Sequence, residues 1–265
     1  MSKTLIKLGG LCLLALSTWL QAAPLKVGVT SGPHAQIFEQ VAKVAKQRYG
    51  LDVEIVEFSD YIQPNAALAD GSLDANSFQH RPFLNAQIKA RGYDLVGVGR
   101  TFIGPIAFYS SKYKSFAEVP KGSQVAIGND PANESRALLL LQRDGLLRLR
   151  EGIDPLLGVN ATPLDIVENP HDFQFVELDA AQLPRSLPDV SVAAVNADYA
   201  AKAGLHPGRD AILAEPGDGP YACLIAVRRQ DQDKPWVQQL VQAYQSDEVR
   251  TYINEHFKGA VIAAF

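Results

Sequence analysis

Short β-branched runs alternate with amphipathic segments along most of the chain, and this alternation restricts its fold more than any other feature. The run LKVGVT at 25–30 is followed by a helix-like segment at 34–50, with apolar residues at Ile37, Val41 and Val44. The same order returns in QVAIG and the segment after it, ANESRALLLLQ. Strands that alternate with helices predict parallel sheets covered by helices, and therefore an α/β fold.

The alternation continues through the second half of the chain and ends with the strand-like run YACLIAVRR before a long helical pattern. No Ser/Gly-rich linker and no repeat of fixed period interrupts it. A chain with two sets of strand–helix units and no linker forms either one sheet or two lobes that share strands. Two lobes would leave a cleft between them.

The first 22 residues are predicted to be a secretory signal peptide. Lys3 and Lys7 precede an apolar run at 8–20 that contains no acid, and its 13 residues are fewer than the roughly 20 that span a bilayer. Ala22 is the small residue at which a signal peptidase would cut, so we expect the mature chain to begin near Ala23.

Lipid attachment would need a small residue directly before a cysteine. Cys12 instead follows Leu11 in the middle of the apolar run. We therefore expect a soluble periplasmic protein that is not lipid-anchored.

The acidic charge of the chain excludes a nucleic-acid partner. Removal of residues 1–22, which hold two lysines and no acid, changes the formal charge from −4 to −6, whereas phosphate binding needs an excess of cations. Only Cys223 remains in the mature chain, so no intramolecular disulfide can form and stability must come from burial.

Aromatic residues are concentrated around a proline at 77–83, in SFQHRPF. If this stretch is extended up to His80, the side chains of Phe78 and His80 point to the same face. Pro82 suits the first turn of a helix, which places His80 at a strand-to-helix junction, where open α/β sheets bind ligands. Residue types alone leave two interpretations open: Phe78 and Phe83 are ordinary core, or they form the wall of a pocket.

A second candidate region is NDPANESRALLLLQ at 129–142. Asn129, Asp130 or Asn133 can cap a helix there, and Arg136 follows within its first turns. Free N–H groups at a helix N-terminus and a planar guanidinium together suit a small carboxylate. The alternative is that Arg136 only pairs with Glu134 or another surface acid.

Motifs for catalysis are absent from the sequence. It contains no nucleophile elbow, no phosphate-binding loop and no pair of cysteines for a metal, and its five histidines show no metal-ligand spacing. We expect no enzyme activity, no cofactor and no metal. The enzymatic alternative would use Cys223 near His80 as a nucleophile, which requires a stabilised thiolate.

Six motifs, in order along residues 25–265, resemble the NlpA family, the methionine-binding proteins of bacterial ABC importers. They are GPHAQIFEQV, EFSDYIQPNAALADGSLDANSFQHRPFL, NDPANESRALLLLQ, ELDAAQLPRSLPDV, VNADYA and PYACLIAVR. The resemblance implies a two-lobed, type II-like periplasmic binding protein with its ligand in the interlobe cleft. It also implies lobe limits, with residues 23–108 and 221–265 in the first lobe and 109–220 in the second.

The implied ligand is L- or D-methionine, or a related small apolar amino acid or derivative, delivered to an ABC importer permease in the inner membrane. The alternative with the same fold is a sensing or surface-interaction protein that holds its ligand tightly and takes no part in transport. The resemblance places the ligand side chain among aromatics and a histidine, its carboxylate at an arginine and an asparagine, and its polar end near a second asparagine. The implied ligand-binding residues are Tyr61, Phe78, His80, Phe83, Asn133, Arg136, Asn196, Tyr221 and Cys223.

Five positions depart from the family pattern. Cys223 stands where the family has an asparagine that bonds the polar end of the ligand, and Phe83 stands for a tyrosine. Ala132 and Ser135 replace a threonine and a glycine, and Gly128 replaces a proline. A thiol is a weak donor and acceptor, so the loss at Cys223 would cost about 1.5 to 3 kcal/mol of binding. These changes predict a divergent member whose cargo is methionine, another amino acid or a derivative.

Overall fold

Two separate β-sheets organise residues 23–265, the part of the chain that this computed structural model describes; the predicted signal peptide lies outside it. The strands are β1 Leu25–Thr30, β2 Val53–Phe58, β3 Ala75–His80, β4 Leu95–Arg100, β5 Phe102–Ile103, β6 Ala107–Tyr109, β7 Gln124–Gly128, β8 Arg148–Leu149, β9 Ile166–Glu168, β10 Gln174–Leu178, β11 Val192–Val195, β12 Ala211–Ala214, β13 Cys223–Arg228 and β14 Ile262–Ala263.

Helices separate most of these strands, as the alternation predicts. They are α1 Pro33–Tyr49, α2 Gln63–Ala69, α3 Arg81–Arg91, α4 Pro131–Arg143, α5 Leu183–Ser186, α6 Ala197–Lys202, α7 Pro207–Asp210, α8 Pro235–Tyr244 and α9 Asp247–Phe257. Within residues 23–265, no helix is both long enough and apolar enough to cross a membrane.

The first sheet has the strand order β2-β1-β3-β13-β4, and the second has β10-β7-β11-β6-β12. Strand β1 is parallel to β2 and β3, and β7 is parallel to β10 and β11, whereas β13 and β6 run antiparallel to their neighbours. The α/β prediction is therefore confirmed. Of the two arrangements that the sequence left open, the chain forms two lobes.

The chain leaves the first sheet after β4, passes through β5, which pairs with β14 in a two-stranded sheet, enters the second sheet at β6 and returns to the first between β12 and β13. Sheet membership places Ala107 and Phe108 in the second lobe, so its first strand begins two residues before the predicted start at 109. The exact lobe limits stay a prediction. The end of β3 at His80 and the start of β13 at Cys223 face the second lobe, where helix α4, which follows β7, begins.

Each lobe has its own apolar core. In the first, α1 packs its buried face against β1 and the C-terminal helices, with the rings of Phe38 and Tyr244 5.7 Å apart. Helix α1 begins with Pro33 in its first turn and ends at Gly50, whose φ of 66° favours glycine. In the second, Leu138 and Leu141 of α4 are buried against β7. The cores hold the sheets rigid and leave the strand ends to form a site.

Candidate ligand-binding site

A partly enclosed cavity lies between the lobes. The residues that line it are His34, Tyr61, Phe78, Gln79, His80, Phe83, Phe102, Gly104, Asn133, Arg136, Asn196, Ala197, Asp198 and Cys223. Eight of the nine predicted site residues are among them. The ninth, Tyr221, lies directly behind this wall, in contact with Arg136 and His80. Residues far apart in the sequence therefore meet in one place, and their roles toward a ligand stay a prediction.

Three aromatic rings form one wall of the cavity. The ring centroids of Tyr61 and Phe78 are 6.0 Å apart, those of Tyr61 and Phe83 6.0 Å, and those of Phe78 and Phe83 5.9 Å. Phe78 and Phe83 are buried and pack with Ala132 as a small apolar cluster. The two interpretations of these phenylalanines therefore do not exclude each other, because the same rings pack together and line the cavity.

His80 ends β3 and caps α3, as the position of Pro82 predicts. Its Nδ1 accepts a hydrogen bond of 3.2 Å from the backbone N–H of Phe83, so the ring proton is on Nε2, which donates to Asn133 Oδ1 at 3.1 Å. Burial, helped by the charge of Arg136, lowers the pKa of His80 to about 3. The ring is therefore neutral at physiological pH and joins the two lobes through a hydrogen bond.

Asn133 lies in the first turn of α4, whose N-cap is Asp130, one of the three candidates. Its Nδ2 donates to both carboxylate oxygens of Asp130, at 3.1 and 2.9 Å. Its Oδ1 accepts from His80 and, at 3.0 Å, from Asn196 Nδ2. With both ends of the amide occupied, Asn133 holds His80 and Asn196 in position. Its predicted contact with a carboxylate stays a prediction.

Arg136 is buried, and it pairs with an acid that the sequence did not single out. Its Nε donates to Glu215 Oε1 at 3.0 Å, and its Nη2 donates to Glu215 Oε2 and, at 2.9 Å, to the carbonyl of Gly104. The guanidinium carbon is 4.4 Å from the ring centroid of Tyr221. Arg136 therefore does pair with an acid, as the alternative predicts, but with a buried acid and not a surface one, since both side chains of this pair are under 10% exposed. Within residues 23–265, Nη1 has no hydrogen-bond partner and remains able to bind an anion.

Asp198 is a second acid that the sequence did not single out, and it lines the cavity. It follows Asn196 by two residues, in the first turn of α6, and its side chain is 7% exposed. Its Oδ2 accepts hydrogen bonds of 3.1 Å from Thr30 Oγ1 and from Tyr61 OH, both on the other lobe. An acid in the first turn of a helix is common on protein surfaces. The pattern VNADYA alone therefore gave no sign that this one is buried.

Cys223 begins β13 and pairs with His80 of β3 in the antiparallel register. Its side chain is buried, and burial raises the pKa of the thiol to about 12. The thiol is therefore protonated at neutral pH, and its neighbour His80 is already engaged on both ring nitrogens. These facts do not favour the nucleophile hypothesis. In the described residues, no three His, Cys, Asp or Glu side chains are grouped so that they could hold a metal ion.

We expect alkylation of Cys223 by iodoacetamide at pH 7.5 to be at least about a hundredfold slower in the folded protein than in urea. A thiol with a pKa of about 12 has roughly a thousandth of the thiolate of one at its ordinary value of 9.0. Mass spectrometry of timed samples measures both rates, with the urea-unfolded chain as the internal control. Equal rates in the two states would show an accessible thiolate and restore the enzymatic alternative.

Two of the five departures from the family pattern, Phe83 and Cys223, lie at the cavity. The other three do not line it. Ala132 packs behind the phenylalanines, and Ser135 Oγ accepts from the backbone N–H of Ala161 at 2.9 Å. A Cβ added at Gly128 would meet its nearest neighbours at 3.7 and 3.8 Å, an ordinary contact. Any change of ligand would therefore come chiefly from Cys223 and Phe83.

Known proteins resemble this chain over nearly its whole length. The model of the family described as NlpA lipoprotein matches residues 25–265. The D-methionine-binding lipoprotein MetQ of Salmonella typhimurium is 52% identical over 240 residues, which are 90% of this chain and 87% of the relative. A nutrient binding protein from Burkholderia cenocepacia, solved bound to methionine, is 53% identical with a TM-score of 0.88, covering 91% of this chain and all of that one. A periplasmic substrate-binding protein of an ABC transporter from Coxiella burnetii is 48% identical with a TM-score of 0.86 over the same shares.

Proposed function

Because the chain belongs to the NlpA lipoprotein family, we propose that it is the substrate-binding protein of an ABC importer and that it binds methionine, as the L form, the D form or both, between its lobes. The observation that carries this proposal is the cavity in which a buried guanidinium faces a wall of three aromatic rings. Such a site has one end for a carboxylate and another for an apolar side chain. The fold and the family agree with the prediction from the motifs.

The carboxylate of the ligand would bind at Arg136. Because Nε and Nη2 are held by Glu215 and Gly104, the guanidinium is fixed, and Nη1 is the nitrogen left to donate. Tyr221 stacks on this group from behind and restricts its movement. A positioned guanidinium loses little entropy when the anion binds.

The thioether would lie against Tyr61, Phe78 and Phe83. Sulfur–aromatic contacts contribute roughly 0.3 to 1.5 kcal/mol each, in addition to the burial of the methylene groups. The hydrogen bonds from Thr30 and Tyr61 to Asp198, and from His80 to Asn133, link the lobes around this space. Binding in this position therefore goes together with closure of the lobes.

The same proposal includes export and a membrane partner. Relatives are named lipoproteins, whereas here Leu11 precedes Cys12, so we infer a mature chain that begins near Ala23, carries no lipid and delivers its ligand to an inner-membrane permease. An acyl chain in the intact mass of the exported protein would overturn the inference about anchoring.

We expect methionine to raise the unfolding midpoint of the mature protein after unfolding and refolding have removed any bound molecule. A ligand at a hundred times its dissociation constant stabilises the folded state by about 2.7 kcal/mol, which for a chain of this size is a shift of roughly 5 to 10 °C. Differential scanning fluorimetry with L- and D-methionine, and with norleucine to remove the sulfur, measures it.

A shift with another amino acid but with neither form of methionine would keep the fold and change the cargo. No shift across a panel of amino acids, together with a molecule that is released only by denaturation, would favour the alternative of a tightly held ligand outside transport.

A further inference from the structure

Asp198 is not among the ligand-binding residues that the motifs imply, but its surroundings indicate that it contacts the ligand. We propose that Asp198, together with the side-chain oxygen of Asn196, binds the α-ammonium group of the ligand and makes the site select a free, protonated amine. This inference rests on the proposed function, since it concerns the other charged end of the same amino acid. It adds a specificity-determining residue two positions from one that the motifs indicated.

The carboxylate of Asp198 is buried and only half used by the protein. Its Oδ2 accepts from Thr30 Oγ1 and Tyr61 OH, both at 3.1 Å, while Oδ1 has no hydrogen-bond partner within residues 23–265. Its side chain is 7% exposed and lines the cavity. A carboxylate has about four acceptor positions, so this one has capacity left for a donor that enters the cavity.

Within residues 23–265, no lysine or arginine forms an ion pair with Asp198. The nearest candidate is His34, whose Nε2 is 3.9 Å from Oδ2. His34 is buried against Phe102, with ring centroids 4.4 Å apart, and burial lowers its pKa although Asp198 opposes the change. His34 is therefore neutral at physiological pH and does not balance the charge.

The other charged groups at the cavity do not neutralise Asp198 either. Arg136 is matched by Glu215, and His80 is neutral. The ionisable side chains at the cavity therefore hold one uncompensated negative charge, that of Asp198. A buried carboxylate without a counter-ion is unfavourable even when it accepts hydrogen bonds, and a cationic ligand group would offset that cost. A zwitterion brings one such group and a carboxylate for Arg136.

Asn196 supplies a second acceptor that lacks a donor. Its Nδ2 is bound to Asn133 Oδ1 at 3.0 Å, which fixes the orientation of the amide. Its Oδ1 is buried at the cavity and has no hydrogen-bond partner in the described part of the chain. Buried oxygens of this kind are rare because leaving one unpaired costs free energy. An ammonium group has three donors and can satisfy both Asn196 and Asp198.

This pair of acceptors would also take the place of the asparagine that the family has at position 223. The thiol of Cys223 is a weak acceptor, so it cannot replace the amide that would bond the polar end of the ligand. Asp198 provides a charged acceptor on the opposite lobe instead. The chemical consequence is a preference for amino acids with a free α-amine over their N-acylated or deaminated analogues.

The test compares methionine with 4-(methylthio)butanoate, which lacks the ammonium group, in wild type and in Asp198→Asn. In wild type, we expect methionine to bind at least about a hundredfold more tightly than the analogue. The analogue has no ammonium group, so it leaves Asp198 and Asn196 without a donor. In Asp198→Asn, we expect the affinity for methionine to fall by about tenfold to a hundredfold, which is the range expected for the loss of a hydrogen bond to a charged group. The affinity for the analogue should change by less than about threefold, because the analogue has no group that binds Asp198.

Thr30→Val is the matched control, since it removes one hydrogen bond to the same carboxylate, keeps its charge and lies outside the cavity lining. Thr30→Val should lower the affinity for methionine less than Asp198→Asn does. Isothermal titration calorimetry gives the affinities, and the unfolding midpoint without ligand reports folding. Equal weakening of both ligands by Asp198→Asn would show a purely structural role, and an unchanged affinity for methionine would exclude the contact. Either result overturns the inference, whereas a wild type that binds no methionine overturns the proposed function itself.

Discussion

Replacement of Arg136 by methionine is expected to lower the affinity for methionine by more than about a hundredfold. The substitution removes the only charged donor that we place at the ligand carboxylate, and a hydrogen bond to a charged group contributes about 1.5 to 3 kcal/mol. The charge of Glu215, which pairs with Arg136 in wild type and would lose its counter-ion, would in addition repel the carboxylate. Both effects act in the same direction, which makes this the largest change in binding that the site predicts.

Calorimetric titration of the refolded variant with L-methionine measures the effect. Arg143→Met on the same helix is the matched control, because Arg143 is exposed, lies 3.6 Å from exposed Asp218, and does not line the cavity. Its affinity should equal that of wild type. If Arg136→Met binds methionine as wild type does, the carboxylate does not bind at Arg136 and the proposed orientation of the ligand is wrong.

Replacement of Glu215 by methionine is expected to lower the free energy of unfolding by about 3 to 5 kcal/mol. Both partners of the pair are buried, and removal of one leaves a guanidinium inside the protein without a counter-ion. The remaining hydrogen bond to Gly104 does not neutralise the charge. This is the largest loss of stability that we expect from a single change outside the apolar cores.

Urea denaturation of the ligand-free protein measures this loss as a shift of the midpoint. Glu168→Met is the control, since Glu168 pairs with Arg148 at the exposed surface, where solvent screens the interaction, and it should change stability little. The double variant Arg136→Met, Glu215→Met removes both charges and should regain most of the stability without regaining the affinity for methionine. Recovery of binding in the double variant would contradict the role of Arg136.

Local patterns in the sequence predicted the elements and the junctions between them. The period of apolar residues fixed the alternation of strands and helices, because a strand or helix must bury one face whatever its neighbours are. Pro82 and the motif around it located His80 at the end of β3, where it caps α3. The motif at 129–142 placed Arg136 on a helix that begins beside the cavity. Each of these inferences needed only residues within about one turn of each other.

The tertiary structure decided how charges are paired, and with it the chemistry of the site. Glu215 meets Arg136 across 79 positions, and Asp198 meets Thr30 across 168. Neither acid differs in its local sequence from an acid on the surface, since the cost of burying a charge and the partner that offsets it depend on which strand ends the fold brings together. For the same reason, the alternation of strands and helices could not distinguish one sheet from two lobes, whereas the pairing of β6 with β11 and of β13 with β3 does.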